Sequence, residues 1–300
     1  MQLRTPENLL LPLEAARFHD GIFFVAPTAG LTAQEKAWFE RYENEFSWGG
    51  SGRRETEAWL ESIWALPGEI REKLAVNFSM PHCTGDLTAD TAQQKYLESR
   101  VIEHNGRKVI MPIVELINHD SRAPTFDGTS GVSISGKFPD EILASYCETD
   151  AFGFFQKWNF LSEATTAFSM SLILDKLVPE VHVARELLQG ELYSPNGPAG
   201  ISLRLPNLAR DEGRIKLSFL MLGNRNSPRI PRGAFHRVFH TAGLQAADEM
   251  FDVIRHMNGM LFLGLLGDIE GLAGPFATAL RTMCRFQLEA LSHCFGMREI

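Results

Sequence analysis

The spacing of apolar residues along the 300-residue chain changes at Thr32, near Ser99 and again at Ser162, and each change predicts a change of secondary structure. The first thirty residues read as short extended pieces, among which Gly21 to Pro27 (GIFFVAP) is a compact apolar run bounded by Gly and Pro, the punctuation of a strand. From Thr32 the period becomes helical. Thr32 and Glu35 have the spacing of a capping box, and Trp38, Phe39 and Tyr42 follow at helical intervals. ETEAWLESIWAL (55–66) puts Trp59, Leu60, Ile63 and Trp64 on one face, and GEIREKLAVNF (68–78) follows as another helix, with SWGGSGRR (47–54) a flexible loop before them. From Ser99 to Leu161 the pattern is β again: KVIMPIVELI (108–117) is β-branched and apolar, GVSIS (131–135) alternates, and EILASY (141–146) is a further short run. Beyond Ser162 three stretches predict helices: SEATTAFSMSLILDKLV (162–178), QAADEMFDVIRHMNGMLFLGLL (245–266) and GPFATALRTMCRFQLEALSHCF (274–295). The sum is an α+β chain with a boundary near residues 161–165.

Composition narrows the class. Hydrophobic residues at 44% and charged residues at 22% are those of a globular protein. A net charge of −8 argues against a nucleic-acid binder, which needs a basic footprint to neutralise phosphates. The densest apolar run, MLFLGLLG (260–267), is far short of the roughly 18 residues that span a membrane, so no membrane partner is expected. Met1-Gln2-Leu3-Arg4 does not lead into a secretory signal, and the cytoplasm is the default location. Cys83, Cys147, Cys284 and Cys294 are scattered without paired spacing, which predicts buried thiols and neither disulfides nor zinc.

Common catalytic signatures are missing: there is no GxSxG, P-loop, HExxH or GxGxxG after a strand. His236 and His240 stand four apart, with His256 further along, but no acidic base falls between them. Two histidines on a partly buried helix is the better reading, and no metal is expected. The strongest local feature is VELINHDSR (114–122), an apolar run that ends in Asn118-His119-Asp120. It reads either as a turn, which Asn and Asp favour, or as a backbone crossing in a ligand site.

The surrounding residues bear on that choice. Ser99-Arg100 precedes Pro112-Ile113-Val114-Glu115-Leu116-Ile117-Asn118-His119, which is followed by Ala144-Ser145-Tyr146-Cys147 and then Trp158-Asn159-Phe160. In order and spacing this resembles the C-terminal half of a SET domain, the fold of one class of S-adenosylmethionine-dependent protein-lysine methyltransferases. The similarity is to the branch that includes plant Rubisco large-subunit lysine methyltransferase. There a Ser-Arg pair, a Pro-x-x-Asp-Leu-x-Asn-His strand, Ile-Ser-Tyr-Gly and Tyr-Gly-Phe occur in that order. The resemblance implies a SET-like β-rich catalytic lobe over 1–161, interrupted by a helical insert at about 31–98, and a mainly helical domain over 162–300 that binds a substrate or partner.

It further implies S-adenosyl-L-methionine as cofactor and, as partner, a protein that presents a lysine. Ser99, Arg100, Glu115, Asn118, His119 and Phe160 would contact the cofactor, and Tyr146 and Trp158 would form the catalytic pocket. Asn118 would satisfy buried peptide groups, and His119 would offer its backbone to the adenine edge. Arg100 would pair with a carboxylate or support the crossing through backbone carbonyls. Three features depart from the family. No Gly-x-Gly-Leu loop precedes GIFFVAP; Glu115 replaces Asp and Asp140-Glu141 stands where Gly-Glu is usual; and Trp158 replaces a tyrosine, keeping an aromatic wall without its hydroxyl. Trp158 reads equally as a core residue beside Phe154 and Phe155. A lysine methyltransferase is therefore weighed against a SET-like interaction module without catalysis. The oligomeric state is left open.

Overall fold

The structure, a computed structural model, describes residues 1–146, 149–175, 180–185, 192–193, 203–211 and 213–292. The chain divides into two compact units, one made of Met1–Ala65 with Gly85–Glu148 and the other of Leu66–Thr84 with Thr149–Ile300. Their architecture is mixed α+β, with small sheets and helices in both.

In the first unit, strands β1 (Gln2–Thr5), β2 (Leu11–Pro12), β3 (Ala16–His19) and β4 (Ile22–Val25) lead into helix α1 (Ala33–Glu45). The capping box opens α1 as the spacing predicts: Thr32 Oγ1 accepts from the Glu35 N–H at 3.2 Å, and Glu35 Oε2 accepts from the Thr32 N–H at 2.9 Å. The segment expected as a loop is a π-type turn, Ser47–Gly52, kinked at Gly50, whose backbone is not helical, and it leads into α2 (Arg53–Trp64). Helix α3 (Gly68–Asn77) belongs to the second unit, and the chain returns to the first with α4 (Ala89–Arg100).

Strands β5 (Val101–His104) and β6 (Arg107–Ile110) form a hairpin that β2 extends, in the order β2-β6-β5, while β3 pairs with β4. Alternation along β6 sends neighbouring side chains to two cores. Val109 packs with Met111, Val114, Ile117, Val132 and Ile134, and Ile110 packs with Leu11, Phe23, Val25, Phe39 and Val101. The remaining strands are β7 (Asn118–His119), β8 (Val132–Ser135), which pairs with β1, and β9 (Leu143–Ala144), which lies parallel to β7.

The strand expected over 108–117 ends at Ile110. Pro112 has no N–H to give a ladder, and Ile113 takes φ +70°, a left-handed conformation unusual for a β-branched residue. A single 3-10 turn, Val114–Leu116, then leads to β7.

The second unit departs further from expectation. Helix α5 (Ala151–Trp158) occupies residues expected in the β half. The helix expected over 162–178 gives way to strands β10 (Thr166–Phe168) and β11 (Leu172–Leu174). Strands β12 (Glu180–Ala184), β13 (Leu192–Tyr193), β14 (Leu203–Arg204), β15 (Asn207–Asp211), β16 (Arg214–Ser218) and β17 (Met221–Asn224) follow, so the described residues beyond 162 hold strands as well as helices. The main sheet runs β11-β12-β16-β15, with β10 paired to β17 and β13 to β14. Helices α6 (Ile230–Thr241), α7 (Ala247–Asp268) and α8 (Pro275–Ser292) complete the unit, the last two where the helical period places them.

The units part at residues 148 and 149, not at the expected 161 and 162. The physical reason is Asp150, which caps α5 through the Gly153 N–H at 2.8 Å and is bound by Arg185 and Gln287 of the second unit. Among the described residues no helix is long and apolar enough to cross a membrane, and no group of three or more metal-ligating side chains occurs. Cys83 and Cys284 are buried thiols, each pushed up to about 12 by burial; Cys147 and Cys294 lie outside the described residues. His236 binds Asp248 at 2.8 Å on the surface of α6, and His240 and His256 are exposed.

Candidate functional site

The residues around Asn118-His119 are held by two layers of contacts in the first unit. The upper layer is a parallel pairing. Asn118 and His119 sit opposite Leu143 and Ala144, the Asp120 N–H donates to the Ala144 carbonyl at 3.1 Å, and the Ser145 N–H donates to the Pro124 carbonyl at 2.9 Å. Parallel neighbours need a crossover between them, and here the chain leaves β7, forms β8 against β1, and returns as β9 beside the strand it left.

Tyr146 closes this crossing from the side. Its hydroxyl donates to the Ile117 carbonyl, and its N–H donates to His119 Nδ1 at 3.2 Å. Its ring lies 5.2 Å from that of His119, edge-on, and stacks on Phe126 at 6.2 Å. Because Nδ1 accepts, the neutral imidazole carries its proton on Nε2. Burial also lowers the His119 pKa, which favours that neutral form.

The lower layer is a cluster of polar side chains beneath the turn at 111–117. The Tyr42 hydroxyl accepts from the Ile113 N–H at 2.8 Å and donates to Glu115 Oε1 at 3.2 Å, and Thr5 Oγ1 donates to the Pro112 carbonyl at 2.6 Å. These bonds hold the left-handed turn at Ile113 in place. Glu115 is buried and also accepts from Ser47 Oγ at 2.7 Å, while the Arg100 guanidinium donates to its backbone carbonyl at 3.1 Å. Tyr96 meets both Ser47 Oγ, at 2.5 Å, and Glu43 Oε2, at 2.6 Å. Its ring packs against Trp48 at 4.9 Å, and a Cβ on Gly52 would lie 2.7 Å from it, so glycine allows α4 and the π turn to approach this closely.

Arg100, Glu115, Asn118, His119 and Tyr146 thus come together in one unit. Arg100 takes the backbone-supporting role of its two expected ones. Asn118 does not bury itself among peptide groups: it is exposed, and its amide donates to Glu141 at 2.6 Å. Ser99 turns away, its hydroxyl donating to the Tyr96 carbonyl at 2.7 Å within α4.

Trp158 and Phe160 belong to the second unit. There both pack beside Phe154, at 5.8 Å and 5.4 Å, around a small core of Ala151, Phe154 and Ala164, with Lys157 4.6 Å above the indole. The core reading of Trp158 describes these contacts.

Sequence reading missed Tyr42, Glu43, Ser47 and Tyr96. One signal was present: Glu43 stands four residues after Phe39, on the face of α1 that also buries Tyr42. A glutamate on an apolar helix face is an anomaly that asks for a partner. The partners, however, come from α4 and the turn before β7, which helical periodicity does not reveal.

No protein-family model matches the chain, and no curated protein matches it. Among solved structures it is similar to the crystal structure of the SET domain of LSMT bound to lysine and AdoHcy. The identity is 14% and the TM-score 0.34, over 97% of this chain and 79% of that one. That is a distant resemblance, and it singles out no branch of the SET proteins.

Proposed function

We propose that this chain is a SET-like protein-lysine N-methyltransferase that uses S-adenosylmethionine. The observation that carries the reading is the crossing itself. The three motif segments that resemble SET sequences, at Arg100, at Glu115 to His119 and at Tyr146, are bound to one another through Glu115 O, Ile117 O and His119 Nδ1. A turn at Asn118-His119-Asp120 needs none of these bonds.

The chain offers groups that suit the cofactor. Arg100 Nε and Glu115 Oε2 are buried and make no hydrogen bond of their own. They supply one donor and one acceptor, the complement of an amino-acid zwitterion. In this proposal Arg100 and Glu115 hold that end, and His119 and Asn118 present backbone to the adenine. When bound, the cofactor supplies an electrophilic methyl group.

The protein's task is to hold a neutral lysine amine in line with it and to exclude water, and positioning of this kind contributes several kcal/mol. The Tyr146 oxygen, its proton committed to Ile117, keeps lone pairs to orient an amine N–H, and desolvation lowers the lysine pKa in the required direction. Residues beyond 162 would dock the protein that carries the lysine.

A second reading, a SET-like interaction module without catalysis, is favoured by Trp158, which is half-buried and packs against Ala151, Phe154 and Ala164 in the second unit. Calorimetry with S-adenosylmethionine separates the two. Binding that weakens in Arg100→Met supports the enzyme; a folded chain that takes up no cofactor supports the module.

A further inference from the structure

Glu43 and Glu115 are joined by a continuous string of oxygens. From Glu43 Oε2 to Tyr96 Oη is 2.6 Å, from Tyr96 Oη to Ser47 Oγ 2.5 Å, and from Ser47 Oγ to Glu115 Oε1 2.7 Å. Two oxygens at such distances need a hydrogen between them, since facing lone pairs repel. The string has three such contacts, and its two hydroxyls supply only two hydrogens. Tyr42 cannot lend a third, because its proton is already directed at Glu115 Oε1. The Arg100 hydrogen bond goes to the backbone carbonyl of Glu115 and not to the string.

We infer that Glu43 and Glu115 hold one proton between them in the folded protein, making the pair a buried proton-binding site connected through Tyr96 and Ser47. With the proton on Glu43 every hydrogen bond in the string points toward Glu115; with it on Glu115 every one points back. Either pattern fills all three contacts. Charge balance agrees, because one carboxylate is neutralised by Arg100, whereas two would leave a net negative charge in a buried cluster.

The groups that act on the pair are Tyr42 from α1, Tyr96 and Arg100 from α4 and the Trp48 backbone, with Tyr146 acting on Arg100 in turn. Glu40, also on α1, is engaged elsewhere by the Val25 N–H and Lys36. Burial, reinforced by the charge of Glu115, pushes the Glu43 carboxyl up to about 8, and burial raises Glu115 as well.

Release of the proton leaves one contact in the string without a hydrogen. With both carboxylates ionised, Tyr96 donates to Glu43 and Ser47 to Glu115, so the contact that loses its hydrogen is the one between Tyr96 and Ser47. The proton is a property of the first unit and is read without any methyl-transfer assay.

The pair takes up a proton that the unfolded glutamates release near 4.5 and that the folded chain keeps to about 8. Between those values its contribution to stability falls as pH rises: the unfolding constant grows about tenfold per pH unit from this site. Glu43→Gln places an amide N–H where the shared hydrogen lies, with Glu115 ionised, so the variant should fold and lose one proton's worth of this slope. Difference infrared spectra of the full chain should show the carbonyl stretch of a protonated carboxylic acid at neutral pH. That band should titrate away above about pH 8 and be absent from Glu43→Gln. A parent chain without the band at neutral pH overturns the inference, whatever the variant does. So does a band that survives in Glu43→Gln, or a variant that cannot fold.

Discussion

Each unit buries acid, and the two do so in opposite ways. In the second unit the Asp150 carboxylate is fully covered and receives five hydrogen bonds. They come from the N–H groups of Gly153 (2.8 Å) and Phe168 (2.9 Å), from Gln287 (2.7 Å) and twice from Arg185 (2.6 and 3.1 Å). Burial alone would raise its pKa, but the Arg185 charge and these donors more than offset it and hold the carboxyl below its ordinary value. In the first unit Glu43 and Glu115 are as deeply buried, yet Glu43 Oε1 and Glu115 Oε2 find no donor, and burial keeps both high. Depth is common to both sites, and the supply of donors decides the charge state. A fully supplied carboxylate can serve as a rigid joint, here between α5, β10 and α8. An undersupplied pair can gain and lose a proton.

The sharpest way to break this comparison is to remove the supply at Asp150. Arg185→Leu leaves a buried, still partly bonded carboxylate without its counter-charge, and should lower stability by about 3–5 kcal/mol in urea unfolding. A loss comparable to that of a surface pair would show that Asp150 is not the joint described. The same contrast predicts opposite responses to pH. Asp150 has a depressed pKa, so its contribution is present above the unfolded carboxyl value and is lost as pH falls through the lower folded one. The Glu43 contribution is lost in the other direction, as pH rises through about 8. Hydrogen exchange corrected for intrinsic rates should therefore show protection failing first in the second unit in acid and first in the first unit in base.

A smaller effect distinguishes the two members of the pair. Glu115 Oε1 accepts from the side chains of both Ser47 and Tyr42, whereas Glu43 meets one side chain, Tyr96, and the backbone of Trp48. An amide at 43 can give its N–H to Tyr96, but an amide at 115 cannot both donate to Ser47 and accept from Tyr42 at one atom. Glu115→Gln should therefore cost about 1–3 kcal/mol, and Glu43→Gln much less, by chemical unfolding at neutral pH. Smaller again is Tyr146→Phe, which removes one hydrogen bond to Ile117 and should cost about 1 kcal/mol while leaving the His119 contact to the Tyr146 N–H intact.

Much of this was legible where neighbours in sequence are neighbours in space. The capping box at Thr32, the apolar runs of β4 and β8, and the long periods of α7 and α8 all announce themselves locally. The stretch 162–178 misleads because its apolar residues suit either period. Its strands are settled by distant partners: β10 pairs with β17, and β11 with β12. The break at Ile110 was readable from Pro112, but the left-handed turn at Ile113 depends on Tyr42 and Thr5, far off in the chain. The motif at Asn118-His119 pointed to the crossing. The acids beneath it did not stand out, since a lone Glu43 reveals itself only once α4 supplies Tyr96. Asp150 likewise looks like a helix cap until Arg185 and Gln287 arrive.

The smallest expected effect sharpens the comparison most cleanly, because it holds the geometry of the pair and changes only its surroundings. Arg122 forks onto Asp120 at 3.2 and 3.0 Å, much as Arg185 forks onto Asp150, and it too depresses its partner, to about 2. The difference is exposure: the Arg122 side chain is 89% exposed, and that of Arg185 4%. In water the ions are already solvated, salt screens them, and ordering two side chains offsets the attraction. Removing Arg122 also leaves no stranded charge, because solvent reaches Asp120 and the Arg122 N–H still caps it at 2.8 Å. Arg122→Ala should therefore let the Asp120 pKa climb back toward its ordinary value, as followed by carboxyl NMR. The unfolding midpoint should stay where it was. If that midpoint instead falls as far as it does in Arg185→Leu, the geometry of the fork and not its burial sets the worth of these pairs, and the contrast between the two units fails.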